Sequence, residues 1–338
     1  MPSRLELTRP QILAFRQRVG SLGERLARGP GSLRRAAWAG LQDSMPRAAL
    51  LSLHARVEGI TPQAWEDASL VQVWGPRFSA YVVAERDRAV FTRGRLPTAG
   101  AGRQRAEQTA ARLDAFLGDD RMPYGEAGRS LGVNPNQLRY AAPTGTVLLR
   151  WDGARQPVIW MVPPPAMDEQ EARLELARRH LHAFGPSTPA AFAKWAGVKA
   201  HAGAAAFDAI RESVVPVRTP TGEAWILAED EQSVREEPGP VASARLLPSG
   251  DAYYLLWGED RDLLVADPAR RRELWTSRVW PGALLVEGEI VGIWRRAQHK
   301  VSIETWRRLS RTAKQAVEAE AATLPLPDLD RAIAVTWD

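Results

Sequence analysis

Three times along this chain a run of helices is followed by a short apolar strand element, and that order narrows the folds open to it. In the first round TRPQILAFRQRV (8–19) reads as a helix opened by Thr8 with Pro10 near its first turn, and Ile12, Leu13, Phe15 and Val19 form its apolar side. GSLGERLARGPGSLRR mixes a helical pattern with breakers, TPQAWEDASL reads as a short helix, and SAYVV reads as a strand before a helix that begins near Glu85 and Asp87. In the second round a helix spans 103–118 and YGEAGRSLGVNPNQLRYAAP gives helix, turn and helix. TGTVLLRWDGARQPVIWMV then gives a hairpin turning at Asp152-Gly153. The third round has DEQEARLELARRHLHAFG stopped by Gly185, then TPAAFAKWAGVK, AHAGAAAFDAIRE and strands joined near Gly222. Helix, turn, helix, wing is the order of a winged helix. No fixed-period identity accompanies it, so what repeats is architecture.

The expected fold class is therefore α+β, with tandem winged-helix modules. The expected boundaries are 1–100, 101–165 and 166–232, then a C-terminal α/β portion at 241–315 with a hairpin turning at Glu287-Gly288, and a terminal helix and tail at 316–338. The acidic, Pro- and Gly-containing EDEQSVREEPGPVAS marks a loop or module boundary. With 338 residues, two or three domains are expected.

The chain has no cysteine, which removes disulfides, thiolate nucleophiles and cysteine-ligated metal sites together and fits a reducing cytoplasm. Charged residues interrupt every long apolar window, so neither a leader nor a membrane span is expected. Gly-rich phosphate loops, zinc-protease motifs and serine-hydrolase elbows are missing, and no cofactor or metal is expected. Lys plus Arg exceed Asp plus Glu by 45 to 40. The surplus concentrates in the first 35 residues, where Arg4, Arg9, Arg16, Arg18, Arg25, Arg28, Arg34 and Arg35 face only Glu6 and Glu24. That segment reads either as a phosphate-binding surface or as a solvated basic face.

GLQDSMPRAALLSLHARV (40–57) carries the most specific polar group. Asp43 or Ser44 can accept from the free N–H groups of a following helix, Pro46 suits a first helical position, and Ala49, Leu50, Leu53 and Val57 recur at helical spacing. Helix initiation leaves Gln42 unexplained; its neutral amide both donates and accepts.

Five segments occur in an order and spacing that resemble one family. They are GLQDSMPRAALLSLHARV, RFSAYVV with ERDRAVF, ELARRHLHAFGPSTPAAFAKWAGV, ARLLPSGDAYYLLWGEDR and LLVEGEIVGIWRR. Together they resemble the AlkZ-like winged-helix DNA glycosylases, which include the YcaQ-type interstrand-crosslink glycosylases, over about residues 8–310. The resemblance implies a C-shaped, monomeric, nucleoid-associated protein whose basic concave face binds double-stranded DNA. It also implies repair by hydrolysis of the N-glycosidic bond of alkylated or crosslinked purines. Active members carry Gln-x-Gln or Gln-x-Asp where this chain has Gln42-Asp43-Ser44, so the acid stands one place early and Ser44 holds the third position. On a helix, neighbouring side chains point about 100° apart and those two apart about 200°, so Asp43 cannot simply replace an acid at 44. A non-catalytic winged-helix DNA-binding protein is the alternative.

Gln42, Asp43 and Ser44 are thus the candidate catalytic residues. The candidate DNA contacts are Arg34, Arg35, Arg47, Arg77, Arg178, Arg179, Arg295, Arg296 and Lys300. Arg77 reads as a phosphate clamp or an exposed arginine, at a place where the family usually has Arg-Gly-Thr and this chain has Arg77-Phe78-Ser79. His180 and His182, two apart on one helix, make a poor metal pair. Trp38, Trp65, Trp74, Trp195, Trp225 and Trp294 read as core anchors rather than base-stacking platforms. Asp251 reads as a local ion pair or turn cap, or as part of a DNA-facing rim. Arg295 and Arg296, followed by His299 and Lys300, give a basic wing.

Overall fold

The computed structural model describes residues 5–29, 31–43, 45, 47–151, 156–326 and 331–338. The fold is mixed α+β, and its strands form three sheets. The recurrent helices are present at Arg9–Val19, Ala101–Leu117, Tyr124–Ser130, Glu169–Phe184, Pro189–Ala196, Ala200–Ala209 and Arg311–Ala322. Their ends follow the sequence signals. Thr8 closes a capping box with Gln11, Asp168 accepts from Gln170 and Glu171, and Thr188 accepts from Ala191 one residue before Pro189. None of the described helices is long and apolar enough to cross a membrane.

The strands of the first two rounds share one six-stranded sheet, in the order Leu41–Gln42, Ala80–Ala84, Leu70–Trp74, Val147–Arg150, Val158–Met161 and Met122–Pro123. Leu70–Trp74 joins the two rounds, pairing with Ala80–Ala84 on one side and at Gln72↔Leu149 on the other. The second-round hairpin pairs Val147 with Met161 and Arg150 with Val158; its expected turn at Asp152-Gly153 lies outside the described residues. The third-round hairpin pairs Val214–Thr219 with Gly222–Leu227 and takes Leu5–Glu6 as a parallel third strand. The last sheet runs Arg245–Leu247, Gly282–Val286, Glu289–Ala297, Lys300–Thr305 and Ala334–Trp337. Its first hairpin turns at Glu287-Gly288, where both residues have positive φ, as a tight two-residue turn requires.

Three elements differ from the sequence reading. Leu41–Gln42 is a strand paired with Val82 and Tyr81, so Gln42 precedes the helix Ala48–Arg56 instead of opening it. Leu70–Trp74, which begins at the last residue of the expected helix TPQAWEDASL and otherwise carries no assignment, is a strand. The acidic stretch after Ala228 contains a short helix, Glu231–Arg235.

Four arginines of the N-terminal basic segment are engaged within the fold, a use that neither reading of it foresees, while Arg28 and Arg35 are exposed. Arg9 makes a bidentate pair with Glu289 at 2.7 and 2.6 Å. Buried Arg16 donates to the carbonyls of Gly185 and Phe184. Arg18 reaches Ser233 O and Glu236, and Arg25 reaches His54 O and Glu320. Each ties the first round to a chain segment far away in sequence. One tie is buried at both ends: Arg56 at the end of Ala48–Arg56 donates to both oxygens of Asp251, at 2.7 and 2.8 Å. Asp251 also accepts from Ser52 Oγ and from Tyr253 N, so it is both a long-range ion pair and a turn cap, not part of a rim. Burial alone would raise its pKa, but the Arg56 charge and these donors hold it below the ordinary carboxylate value.

Truncating one partner leaves a buried charge without compensation. Asp251→Ala is therefore expected to cost about 3–5 kcal/mol in urea denaturation, and the double change Arg56→Met, Asp251→Leu less than Asp251→Ala alone. A loss under about 1 kcal/mol for Asp251→Ala contradicts this account of the pair.

Candidate functional site

The site begins with the alternation of an extended chain. Successive side chains of a strand point to opposite faces, so Gln42 and Asp43 part company at the end of Leu41–Gln42. The 100° helical offset does not apply here, yet the conclusion drawn from it stands, because Asp43 faces away from Gln42. Asp43 is fully buried, at 0% exposure. Its Oδ1 accepts from Ala49 N at 3.0 Å, and its Oδ2 accepts from Gln72 Nε2 at 2.7 Å. Gln72 Oε1 in turn accepts from Trp151 N at 2.6 Å. Asp43 thus serves as the acceptor for the first turn of Ala48–Arg56, the role its position before that helix suggested. Burial raises its pKa to about 7, against the opposing pull of the Ala48 and Ala49 N–H groups and the Gln72 amide. Ser44 lies outside the described residues.

Gln42 is half-buried and faces Arg77. Its Oε1 accepts from Arg77 Nη2 at 2.7 Å and from the Tyr81 hydroxyl at 3.3 Å. Its Nε2 donates to no partner among the described residues. Arg77 also donates through Nη1 to Trp195 O at 2.9 Å, and its Cζ lies 4.3 Å from the centroid of the Trp257 ring. The residue is neither a free clamp nor a loose surface arginine. It is half-buried and joins the Gln42 strand, the end of Pro189–Ala196 and the C-terminal portion.

Backbone geometry explains how Arg77 reaches three segments. Arg77 and Phe78 both lie in the left-handed region, with φ 54° and 58°. At Phe78 that conformation costs roughly 1–2 kcal/mol, and it is one that the glycine of Arg-Gly-Thr would adopt without strain. Phe78 is held there by edge contact with Tyr140, at 5.6 Å between centroids, and by the Arg95 guanidinium 5.0 Å from its ring. On the other side Gly197 admits the turn: a Cβ there would come within 2.8 Å of Arg77 N. Tyr81, Arg95 and Trp257 are the members of the site that sequence reading missed. Only Tyr81 carried a signal, as the alternate residue of an apparent strand.

The other candidates divide. Arg35, Arg295, Arg296 and Lys300 are exposed, and Arg34, Arg47 and Arg178 are half-buried. Arg295 and Arg296 pair with Ser302 and Val301, near the tip of the second hairpin of the C-terminal sheet, and Lys300 begins its returning strand. Arg47, at φ 66°, precedes Ala48–Arg56, and its charge bears on Asp43. Arg179 is a correction. It is buried, paired with Asp87 at 2.9 Å and Glu175 at 2.8 Å, and bonded to Trp38 O, so its fork is fully engaged inside the fold. His180 bonds Ser187 Oγ among Phe184, Phe192 and Trp195, while His182 bonds Asp230. Among the described residues no three His, Cys, Asp or Glu side chains cluster as a metal site would require. Trp65, Trp74, Trp195 and Trp294 are buried core anchors.

A family profile described as "DNA glycosylase AlkZ-like" matches residues 35–325. Comparison with curated proteins found no match. Among solved structures, the DNA glycosylase AlkZ of Streptomyces sahachiroi superposes with a TM-score of 0.78 at 16% identity, covering 99% of this chain and 100% of that one. At that identity the likeness speaks for the fold.

The raised pKa of Asp43 has a measurable consequence. The folded state holds this proton more tightly than an unfolded carboxyl near 3.8, so the Asp43 contribution to stability falls as pH rises from about 4 to about 7 and levels off above. In Asp43→Asn that slope disappears. The stability difference between wild type and variant, measured by denaturation across this range, is expected to shift toward the variant as pH rises; a difference independent of pH contradicts it.

Proposed function

The chain belongs to the AlkZ-like DNA glycosylase family, and from that premise we propose that it binds double-stranded DNA and releases N-alkylated, cationic purines at Gln42. The observation that carries this reading is the Gln42 amide. Arg77 and Tyr81 fix its oxygen, while its N–H donors remain without a partner among the described residues. A cationic purine leaves as a neutral base when the C1′–N bond breaks, so the reaction needs no strong general acid. It needs a water placed at C1′ as positive charge develops there. A fixed N–H donor holds such a water by one lone pair and leaves the other to attack; the water's proton passes to solvent. No described carboxylate of the motif faces Gln42, so positioning supplies the rate enhancement.

Tandem winged helices around a basic concave face, acting as a monomer, complete the proposal, with alkylated or crosslinked bases as the substrate class. Arg34, Arg35, Arg178 and the Arg295–Lys300 hairpin supply backbone contacts.

A second reading, DNA binding without cleavage, is favoured by one observation: the carboxylate of the motif, Asp43, is sealed in the core. Purified protein incubated with a duplex containing 7-methylguanine separates the two. Release of the base, detected as abasic sites, is expected and should fall about 10²-fold in Gln42→Ala. Salt-sensitive binding with no release above that variant overturns catalysis and leaves the second reading. For the hairpin, Arg295→Ala is expected to weaken binding to all duplexes alike and to reduce the slope of log affinity against log salt by about 0.9. An unchanged slope removes Arg295 from the interface.

A further inference from the structure

A cavity of about 510 Å³ has Phe78 in its wall and neither Arg77 nor Gln42, and it falls within the size range of small-molecule sites, roughly 300–1,000 Å³. Its wall includes Arg95, Arg105, Arg173, Lys199 and His201 and no Asp or Glu. Arg95 is 5% exposed. It donates through Nε to Ala196 O at 2.8 Å and through Nη1 to Trp74 O at 3.2 Å. It meets no carboxylate, and its Nη2 has no hydrogen-bond partner among the described residues. Desolvation of this uncompensated charge lowers its pKa to about 9, and the Arg77 charge adds to the effect. A buried guanidinium of this kind is normally paired with an anion, and the described residues provide none.

Two helices also begin at the same cavity. Ala101–Leu117 starts from Gly100 and Ala200–Ala209 starts from Lys199; neither has a side-chain cap or an acidic residue in its first turn, and the first residues of both line the wall. Their positive dipole ends favour a bound anion. Phe78 and Tyr140 add aromatic surface to the same wall, with Arg105 4.9 Å from the Tyr140 ring.

We propose that this cavity is a binding site for the phosphate of a nucleotide, its anion set against Arg95, Arg105 and the two helix starts and its base against Phe78 and Tyr140. It is separate from the Gln42 chemistry and does not depend on it. Two sources share that ligand chemistry: a free mononucleotide and the terminal phosphate of a DNA strand.

Equilibrium dialysis of the full chain at low salt tests the proposal, with a labelled deoxynucleoside 5′-monophosphate, the same nucleoside without phosphate, and a short single strand with or without a 5′-phosphate. Arg105 and Lys199 are exposed, so Arg105→Glu with Lys199→Glu leaves the core intact. The expected result is saturable binding of the monophosphate, competed by inorganic phosphate, weaker by about tenfold or more for the nucleoside and in the double variant. Tighter binding of the 5′-phosphorylated strand than of its unphosphorylated form, lost in the double variant, assigns the site to DNA ends. Equal binding of the two strands, alongside monophosphate binding, assigns it to free nucleotide. Absence of saturable monophosphate binding, or equal affinity in wild type and double variant, overturns the proposal whether or not the protein releases 7-methylguanine.

Discussion

Arginine reaching across the fold is the interaction on which this structure depends. Arg9, Arg16, Arg18, Arg25, Arg56 and Arg179 each carry a guanidinium from one element to a carbonyl or carboxylate elsewhere. The planar fork suits this work, because it satisfies two or three acceptors at once and stays charged when buried. These ties hold the first helix and the helix Ala48–Arg56 against the third round and the C-terminal portion. A chain of pI about 9.8 can therefore spend much of its basic charge inside.

The partners of those ties differ in charge, and the difference separates structure from site. Arg56 and Arg179 end on carboxylates, so their charge is compensated and nothing is left for a ligand. Arg77 and Arg95 end on an amide and on main-chain carbonyls. Their hydrogen bonds are partly satisfied, while no carboxylate among the described residues pairs with their charge. Both flank Phe78, in a turn whose two left-handed residues store backbone strain next to Gln42. Positive charge without a carboxylate partner among the described residues, beside a neutral amide whose donors have no partner there either, suits a surface that meets phosphate and works by positioning.

The helices were legible because their signals are local: Thr8, Asp168 and Thr188 stand where caps belong, and Gly185 follows the long helix it closes. The tight hairpin at Glu287-Gly288 was legible for the same reason. What could not be read was set by distant partners. Leu41–Gln42 and Leu5–Glu6 are too short to show a period of two, and they are strands only because Ala80–Ala84 and Val214–Thr219 lie beside them. Leu70–Trp74 borders a helical turn, and the parallel strand Ala334–Trp337 sits in a tail. For the site, residue type singled out Gln42 and Arg77, but not that they bond each other, nor that Asp43 turns inward. Arg179 shows the limit of composition, since an arginine in a basic stretch gives no sign of the buried Asp87 that claims it.

The central claim is that the Gln42 amide, fixed by Arg77, is the face this protein turns to DNA. A crystal structure bound to a duplex carrying a non-hydrolysable analogue of a 7-alkylated nucleotide tests it most directly. The account predicts Gln42 Nε2 within hydrogen-bond distance of a water or sugar oxygen of the modified nucleotide, with Asp43 still bonded to Ala49 N and Gln72. DNA lying on another surface, with Gln42 and Arg77 remote from it, would contradict the account.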